Sequence, residues 1–211
     1  MKSRNTIDAA VFDFGGVLAD EGFRNGLYAI ARANSIDPEG FAVQARELIH
    51  SSGYLTGEGD EHSYWDALRA RTGISGSDKD LRDTILTRFT LREWIFDVLR
   101  KLKREGVRLF ILSDQTNWLD ELEEKHHFYH FFERVFNSYH MGKCKEDQSL
   151  FEDVLKILNL NPDAVLFVDD TKEHIERANT VGLNTIWFQG KEDFLEKMNQ
   201  FLQEPTDPHK C

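Results

Sequence analysis

The sequence predicts an α/β protein built on a parallel β-sheet, with a helical unit inserted after the first strand. Three observations carry this. Short, almost wholly apolar runs recur along the chain, among them AAVFDF, VRLFIL and AVLFV. Strands of a parallel sheet, covered on both faces, read this way. The later runs alternate with segments whose apolar residues fall at helical spacing, and a strand–helix–strand order implies right-handed crossovers. Residues 21–90 carry helical spacing alone, broken by glycines, with no strand signal.

In chain order, residues 7–14 are mostly apolar and predict the first buried strand. In the insertion, Phe23, Leu27 and Ile30, then Phe41, Ala45 and Leu48, then Tyr64, Trp65 and Leu68 mark apolar faces of successive helices. Residues 91–105 predict a strongly amphipathic helix with Trp94, Ile95, Val98, Leu99 and Leu102 inward and Gly106 as its stop. Residues 107–112 predict the second strand, residues 118–126 a helix, and residues 134–137 a short strand. Residues 148–158 predict a helix burying Leu150, Phe151, Val154, Leu155 and Leu158. Residues 164–168 predict another buried strand, 173–181 a helix stopped by Gly182, and 184–188 a last strand. The final PTDPHKC reads as a frayed tail. The division expected is a core of residues 1–20 and 91–211 and an inserted unit of residues 21–90.

Composition narrows the function. The chain has 211 residues and a formal net charge of −11. Without a basic surplus, phosphate neutralisation along a nucleic acid is not expected. No apolar run approaches membrane-spanning length, and MKSRNTIDAA lacks the apolar segment of a signal peptide. Cys144 and Cys211 make neither a disulfide framework nor a metal knuckle, and a reducing cytoplasm fits. A small anionic substrate is compatible with the net charge, because one local lysine outweighs a distant surface field.

Three of the apolar runs end in polar groups: Asp13, Ser113–Asp114 and Asp169–Asp170. In an open parallel sheet the carboxyl ends of the strands share one edge, and ligands bind there. Lys145, just before a crossover helix, reaches the same edge. Crowded carboxylates raise one another's pKa unless a cation sits among them. Mg²⁺ is such a cation, taking oxygen ligands from one or two carboxylates and a substrate phosphate. An aspartate nucleophile forming an acyl phosphate, with a lysine and a serine hydroxyl on the phosphate oxygens, is the chemistry this set supports.

At these residues the chain resembles the haloacid dehalogenase-like (HAD) superfamily of hydrolases. VFDFGGVL looks like the first motif, FILSDQT the second, GKCKEDQSLF the third and FVDD the fourth. The resemblance implies a Rossmann-like core, an inserted cap of four-helix-bundle type, and a Mg²⁺-dependent phosphatase acting on a small phosphorylated metabolite. It places the nucleophile at Asp13. Ser113, the Asp114 backbone amide and Lys145 would hold the phosphate. Asp13, the Gly15 carbonyl and Asp169 would hold the metal, with Asp170 as a close or water-mediated ligand. FDFGGVL, the YLTGEGDEHSYW region and FVDDTKEHIERANTVGLNTIWF look more narrowly like the glucose-1-phosphatase-like branch.

One position departs from the common pattern. Most phosphatases of the family carry an aspartate two residues after the nucleophile, as general acid and then base. Gly15 keeps the carbonyl and lacks the carboxyl. Losing a general acid costs about 10²–10⁴ in rate, and acidic leaving groups such as an anomeric sugar hydroxyl or a phenol suffer least. A sugar 1-phosphate is therefore the favoured substrate type. Two other readings stand beside this one. A 2-haloacid dehalogenase shares the fold and also lacks the second aspartate, although the acidic pair Asp169–Asp170 would repel its carboxylate substrate. A catalytically impaired relative acting by binding is the other, suggested by Gly15, Asp114 and Glu146, the last able to pair with Lys145.

Remaining features have structural explanations. His126, His127 and His130 sit among Phe128, Tyr129, Phe131 and Phe132, as at a helix end packed on the sheet. Cys144, next to Lys145, could have a lowered pKa without a catalytic part. Asp20 is expected to cap the following helix. Tyr54 and Trp65 are expected in the core of the insertion.

Overall fold

The computed structural model describes residues 7–202; the tail PTDPHKC, with Cys211, lies outside them. Five strands, β1 (Ala9–Phe12), β2 (Arg108–Ser113), β3 (Arg134–Asn137), β4 (Val165–Asp169) and β5 (Asn184–Trp187), form one sheet in the order β3-β2-β1-β4-β5. All four pairings are parallel. The chain steps outward from β1 through β2 to β3, then returns to the other side of β1 for β4 and β5. The order therefore reverses at β1, where a crevice opens at the carboxyl ends.

Successive residues of β1 face opposite sides of the sheet. Ala10 and Phe12 join one apolar cluster, while Ala9 and Val11 join the other. Every residue of β1 is buried, so its sequence shows no polar alternation. The second cluster is closed by α8 (Gln148–Leu158) and α9 (Lys172–Thr180), through Leu150, Phe151, Val154, Ile175 and Ala178. The first is closed by α5 (Glu93–Arg104), α6 (Trp118–His126) and α10 (Lys191–Leu202). Helix α10 was not expected from the sequence; Phe194 and Met198 are buried against the first cluster. The short α7 (Ser138–Met141) follows β3 directly. Among the described residues, no helix is long and apolar enough to cross a membrane.

Between β1 and α5 lie four helices: α1 (Gly22–Ala33), α2 (Pro38–Ser51), α3 (Glu61–Thr72) and α4 (Asp78–Leu86). Their starts follow ordinary capping chemistry. Asp37, Asp60 and Ser77 accept backbone N–H groups from Gly40, Ser63 and Asp80. Tyr54 and Trp65 are buried, as expected for core. Both meet Trp118 of α6, with ring centroids 5.7 and 5.9 Å away. Tyr54 also donates its hydroxyl to Asn117 Oδ1 at 2.6 Å. The insertion thus rests on the sheet's first cluster through aromatic contact.

Its two connections to the sheet run side by side. The Asp20 N–H donates to Thr90 O and the Arg92 N–H donates to Leu18 O, both at 2.9 Å. Asp20 was expected to cap α1. It lies in this linker instead and pairs with Arg92 at 3.3 Å, while Glu21 caps the helix by accepting the Arg24 N–H at 3.0 Å. The cap position is fixed by the helix's first turn, and Glu21 is the nearer residue to it.

Candidate active site

β1 ends beside β4, and the Asp13 N–H donates to Val168 O at 2.9 Å. This places Asp13 at the centre of the carboxyl edge, with Ser113 at the end of β2 on one side and Asp169 at the end of β4 on the other. Asp13 Oδ1 accepts the Phe14 N–H at 2.7 Å and the Ser113 hydroxyl at 2.7 Å. Lys145 Nζ lies 2.9 Å from the same oxygen and 2.6 Å from Asp169 Oδ2. All three contacts fall on Oδ1, and Oδ2 of Asp13 has no donor among the described residues.

Lys145 is fully buried. Burial alone would lower its pKa, but Asp13 and Asp169 outweigh that and hold the ammonium above the ordinary lysine range. Its loop is tied from below: the Lys145 N–H donates to both carboxylate oxygens of Asp114, at 2.9 and 3.1 Å. Asp114 thus turns its charge to the lysine loop. Glu146 does not pair with Lys145, which two buried aspartates already claim; it sits 3.9 Å from His50 of the insertion. Cys144, expected to titrate low, has its thiol pushed up by burial and by Asp114. The lysine charge is spent on the aspartates.

Asp13, Asp169 and Asp170 each offer a carboxylate oxygen, these lying within 4.8 Å of one another. Asp169 Oδ1 accepts the Thr171 N–H at 2.7 Å, and His174 Nδ1 lies 3.2 Å from both of its oxygens. Burial raises Asp13, and the charges of Asp169 and Asp170 add to this against Lys145. Asp170 is pushed up to about 6 by burial and by Asp169 and Glu21. Asp169 goes the other way: burial raises it, but Lys145 and His174 together hold it below the usual carboxylate range. Two acids that resist ionisation beside a third that does not are a donor set short of positive charge. All-oxygen donors of this kind fit a hard divalent cation. Gly15 lies on the same pocket wall. Gly16 is required here: its φ is +80°, and a Cβ on it would come within 2.0 Å of Asp170 Oδ2.

A pocket of about 450 Å³ opens above these residues. Asp13, Gly15, Ser113, Asp114, Lys145 and Asp170 form its floor, while Phe23, Ile49 and Leu55 of the insertion supply apolar wall. Arg24, Arg46 and His50 of the insertion and Arg177 of α9 stand at its sides. The structure therefore brings together every side chain expected at the site. It adds Glu21, Gln115 and His174, which the sequence reading missed. His174 had a signal, lying one helical turn past the acidic pair. The three histidines 126, 127 and 130 are not among the potential metal clusters of the described residues; they close α6 and the turn after it.

Residues 7–182 match the model of the haloacid dehalogenase-like hydrolase family. The chain belongs to that family. Curated relatives are distant. A sesquiterpene phosphatase, astK, of Aspergillus oryzae is 26% identical over 84% of this chain and 88% of its own length. The drimenol cyclase drtB of Aspergillus calidoustus is 25% identical over 76% of this chain, and the bifunctional epoxide hydrolase 2 of Sus scrofa 26% over 95%. This family member spans only 32% and 40% of those two longer proteins. Among solved structures, the HAD family enzyme bt-2542 of Bacteroides thetaiotaomicron superposes with a TM-score of 0.75 at 22% identity, covering 92% of this chain and 98% of that one. It has also been solved with magnesium and inorganic phosphate. The L-2-haloacid dehalogenase of Xanthobacter autotrophicus shares the fold as well, with a TM-score of 0.64 at 20% identity over 95% of this chain and 85% of that one.

Proposed function

We propose that this chain is a Mg²⁺-dependent phosphatase that hydrolyses a small phosphorylated metabolite through an aspartyl-phosphate on Asp13. The observation that carries the reading is the state of Asp13. One oxygen is held by three donors, the other has no donor among the described residues, and the carboxylates of Asp169 and Asp170 lie close to that of Asp13. A carboxylate fixed in this way presents a single oriented oxygen to an electrophile.

Asp13 Oδ2 attacks phosphorus and the ester P–O bond breaks. Ser113 and Lys145 hold phosphate oxygens and offset the charge that develops on them. A water oxygen then attacks the same phosphorus, the Asp13–phosphorus bond breaks, and inorganic phosphate leaves. Asp13, Asp169, Asp170 and the Gly15 carbonyl would hold Mg²⁺, which supplies charge neutralisation between the nucleophile and the dianionic substrate. The insertion acts as a cap over the carboxyl edge, excluding water and setting the substrate's organic part. Residues 1–20 and 91–211 form the core in this reading and residues 21–90 the cap.

A 2-haloacid is the poorer fit, because its carboxylate would enter a floor already carrying Asp13, Asp169 and Asp170. Taken by itself, the glycine at position 15 favours a substrate with an acidic leaving group, such as a sugar 1-phosphate. Cytoplasmic action is part of the reading and is supported by cysteine usage alone. Hydrolysis of p-nitrophenyl phosphate with and without Mg²⁺, alongside Asp13→Asn, is the test. Turnover that needs Mg²⁺ and vanishes in the variant is expected. Metal-independent turnover, or chloride release from 2-chloropropionate, would overturn it.

A further inference from the structure

Gly15, two residues past Asp13, has no side chain on the pocket that both residues line. A Cβ built there meets the Phe89 ring at 3.4 Å, Gln115 Nε2 at 3.5 Å and Glu21 Oε2 at 3.6 Å. These are ordinary contact distances, so the space is walled rather than filled. One of its walls is a carboxylate.

Glu21 is held at one end only. Its Oε1 accepts the Arg24 N–H at 3.0 Å as the cap of α1, and Oε2 has no hydrogen-bond partner among the described residues. Glu21 lines the same pocket as Asp13, Ser113 and Lys145. An anchored carboxyl with a free oxygen at the edge of the vacated volume is placed for proton transfer. Gln115 Nε2 flanks it from the neighbouring strand's end.

We propose that Glu21 is the general acid and base of this enzyme, reaching from the linker into the space that Gly15 leaves open. The inference rests on the phosphatase reading. In the first step the Asp13 Oδ2–phosphorus bond forms, the ester P–O bond breaks, and the Glu21 carboxyl gives its proton to the departing oxygen. In the second, the Glu21 carboxylate takes a proton from the attacking water, the new P–O bond forms, and the Asp13–phosphorus bond breaks. Glu21 ends protonated, and the net reaction is ester plus water giving alcohol plus phosphate.

The test compares wild type with Glu21→Gln, which keeps an acceptor for the Arg24 N–H and cannot exchange a proton in this way. Phosphoenzyme is measured by mass after rapid quench, with p-nitrophenyl phosphate and with a simple alkyl phosphate, both with Mg²⁺. With the nitrophenyl ester, Glu21→Gln forms phosphoenzyme normally and hydrolyses it about 10²–10⁴-fold more slowly, so Asp13 stays phosphorylated. With the alkyl ester, formation itself slows by a similar factor. The double variant Gly15→Asp, Glu21→Gln restores turnover by returning a carboxyl to the same pocket wall, where a Cβ is accepted at ordinary contact distances. Equal rates in wild type and Glu21→Gln for both esters, without phosphoenzyme accumulation, overturn the assignment and leave the phosphatase reading standing. A wild type that never hydrolyses the nitrophenyl ester overturns both.

Discussion

Asp114 holds Lys145 by the backbone and not by the ammonium: both carboxylate oxygens receive the lysine's N–H, at 2.9 and 3.1 Å. The acid that counted toward an impaired relative is a strut. It fixes the loop from which Lys145 reaches Asp13 and Asp169.

Asp114→Ala is expected to lower kcat/KM about 10- to 100-fold, the value of a hydrogen bond to a charged group. Asp114→Asn keeps one acceptor oxygen and falls between. Steady-state kinetics on both variants checks this, and an alanine variant with unchanged kcat/KM removes the strut from the account.

Lys145 is the only buried cation amid Asp13 and Asp169 among the described residues. Lys145→Met is expected to destabilise the fold by about 3–5 kcal/mol, as when one partner of a buried ion pair is deleted. Urea denaturation measures it, and added Mg²⁺ should recover part of the loss. A variant as stable as wild type without metal would mean that the two aspartates are protonated at neutral pH.

Mg²⁺ should raise the melting temperature whether or not substrate is present. At about 100 times its dissociation constant, a ligand of the folded state adds about 2.7 kcal/mol, or roughly 5–10 °C for a chain of this size. Asp169→Asn and Asp170→Asn should each abolish most of that shift. Gly16→Ala should weaken it as well, because its Cβ displaces Asp170. Thermal melts in EDTA and in Mg²⁺ decide the matter.

His126 gives a pH dependence away from the site. Burial, with Lys125 and His127, lowers its pKa below the ordinary 6.5, and its Nε2 is buried without a hydrogen-bond partner. Below pH 6.5 the unfolded chain therefore binds this proton more readily than the folded one. Its contribution to stability is complete above that pH and is lost as pH falls below it. Wild type should lose more stability than His126→Gln between pH 7.5 and 5.5 in urea titrations; parallel losses would place the titrating group elsewhere.

Much of this arrangement was readable because burial leaves a plain mark. Runs such as VRLFIL and AVLFV are strands for the reason the sheet shows, helices covering both faces, and Asp13, Ser113 and Asp169 converge because parallel strands end on one edge. The same burial erases alternation, so strand ends and register were not legible: the first run spans residues 7–14, but the ladder takes only Ala9–Phe12. Helix α10 was passed over although Phe194 and Met198 carry its spacing. Glu21 was hidden by Asp20, since the sequence alone does not say which of two adjacent acids caps a helix. Its relation to Gly15 crosses from the linker to the loop after β1, and no local pattern records it.

The position of β1 has a consequence for synthesis. Its two neighbours are β2 and β4, and β4 is made roughly 150 residues later at the ribosome. Until then one edge of the most apolar strand has no partner, and an unpaired apolar edge invites strand addition from other chains. Nascent chains stopped before residue 165 should therefore be poorly soluble, and the enzyme's yield in a cell should depend on how quickly the last third of the chain follows the first.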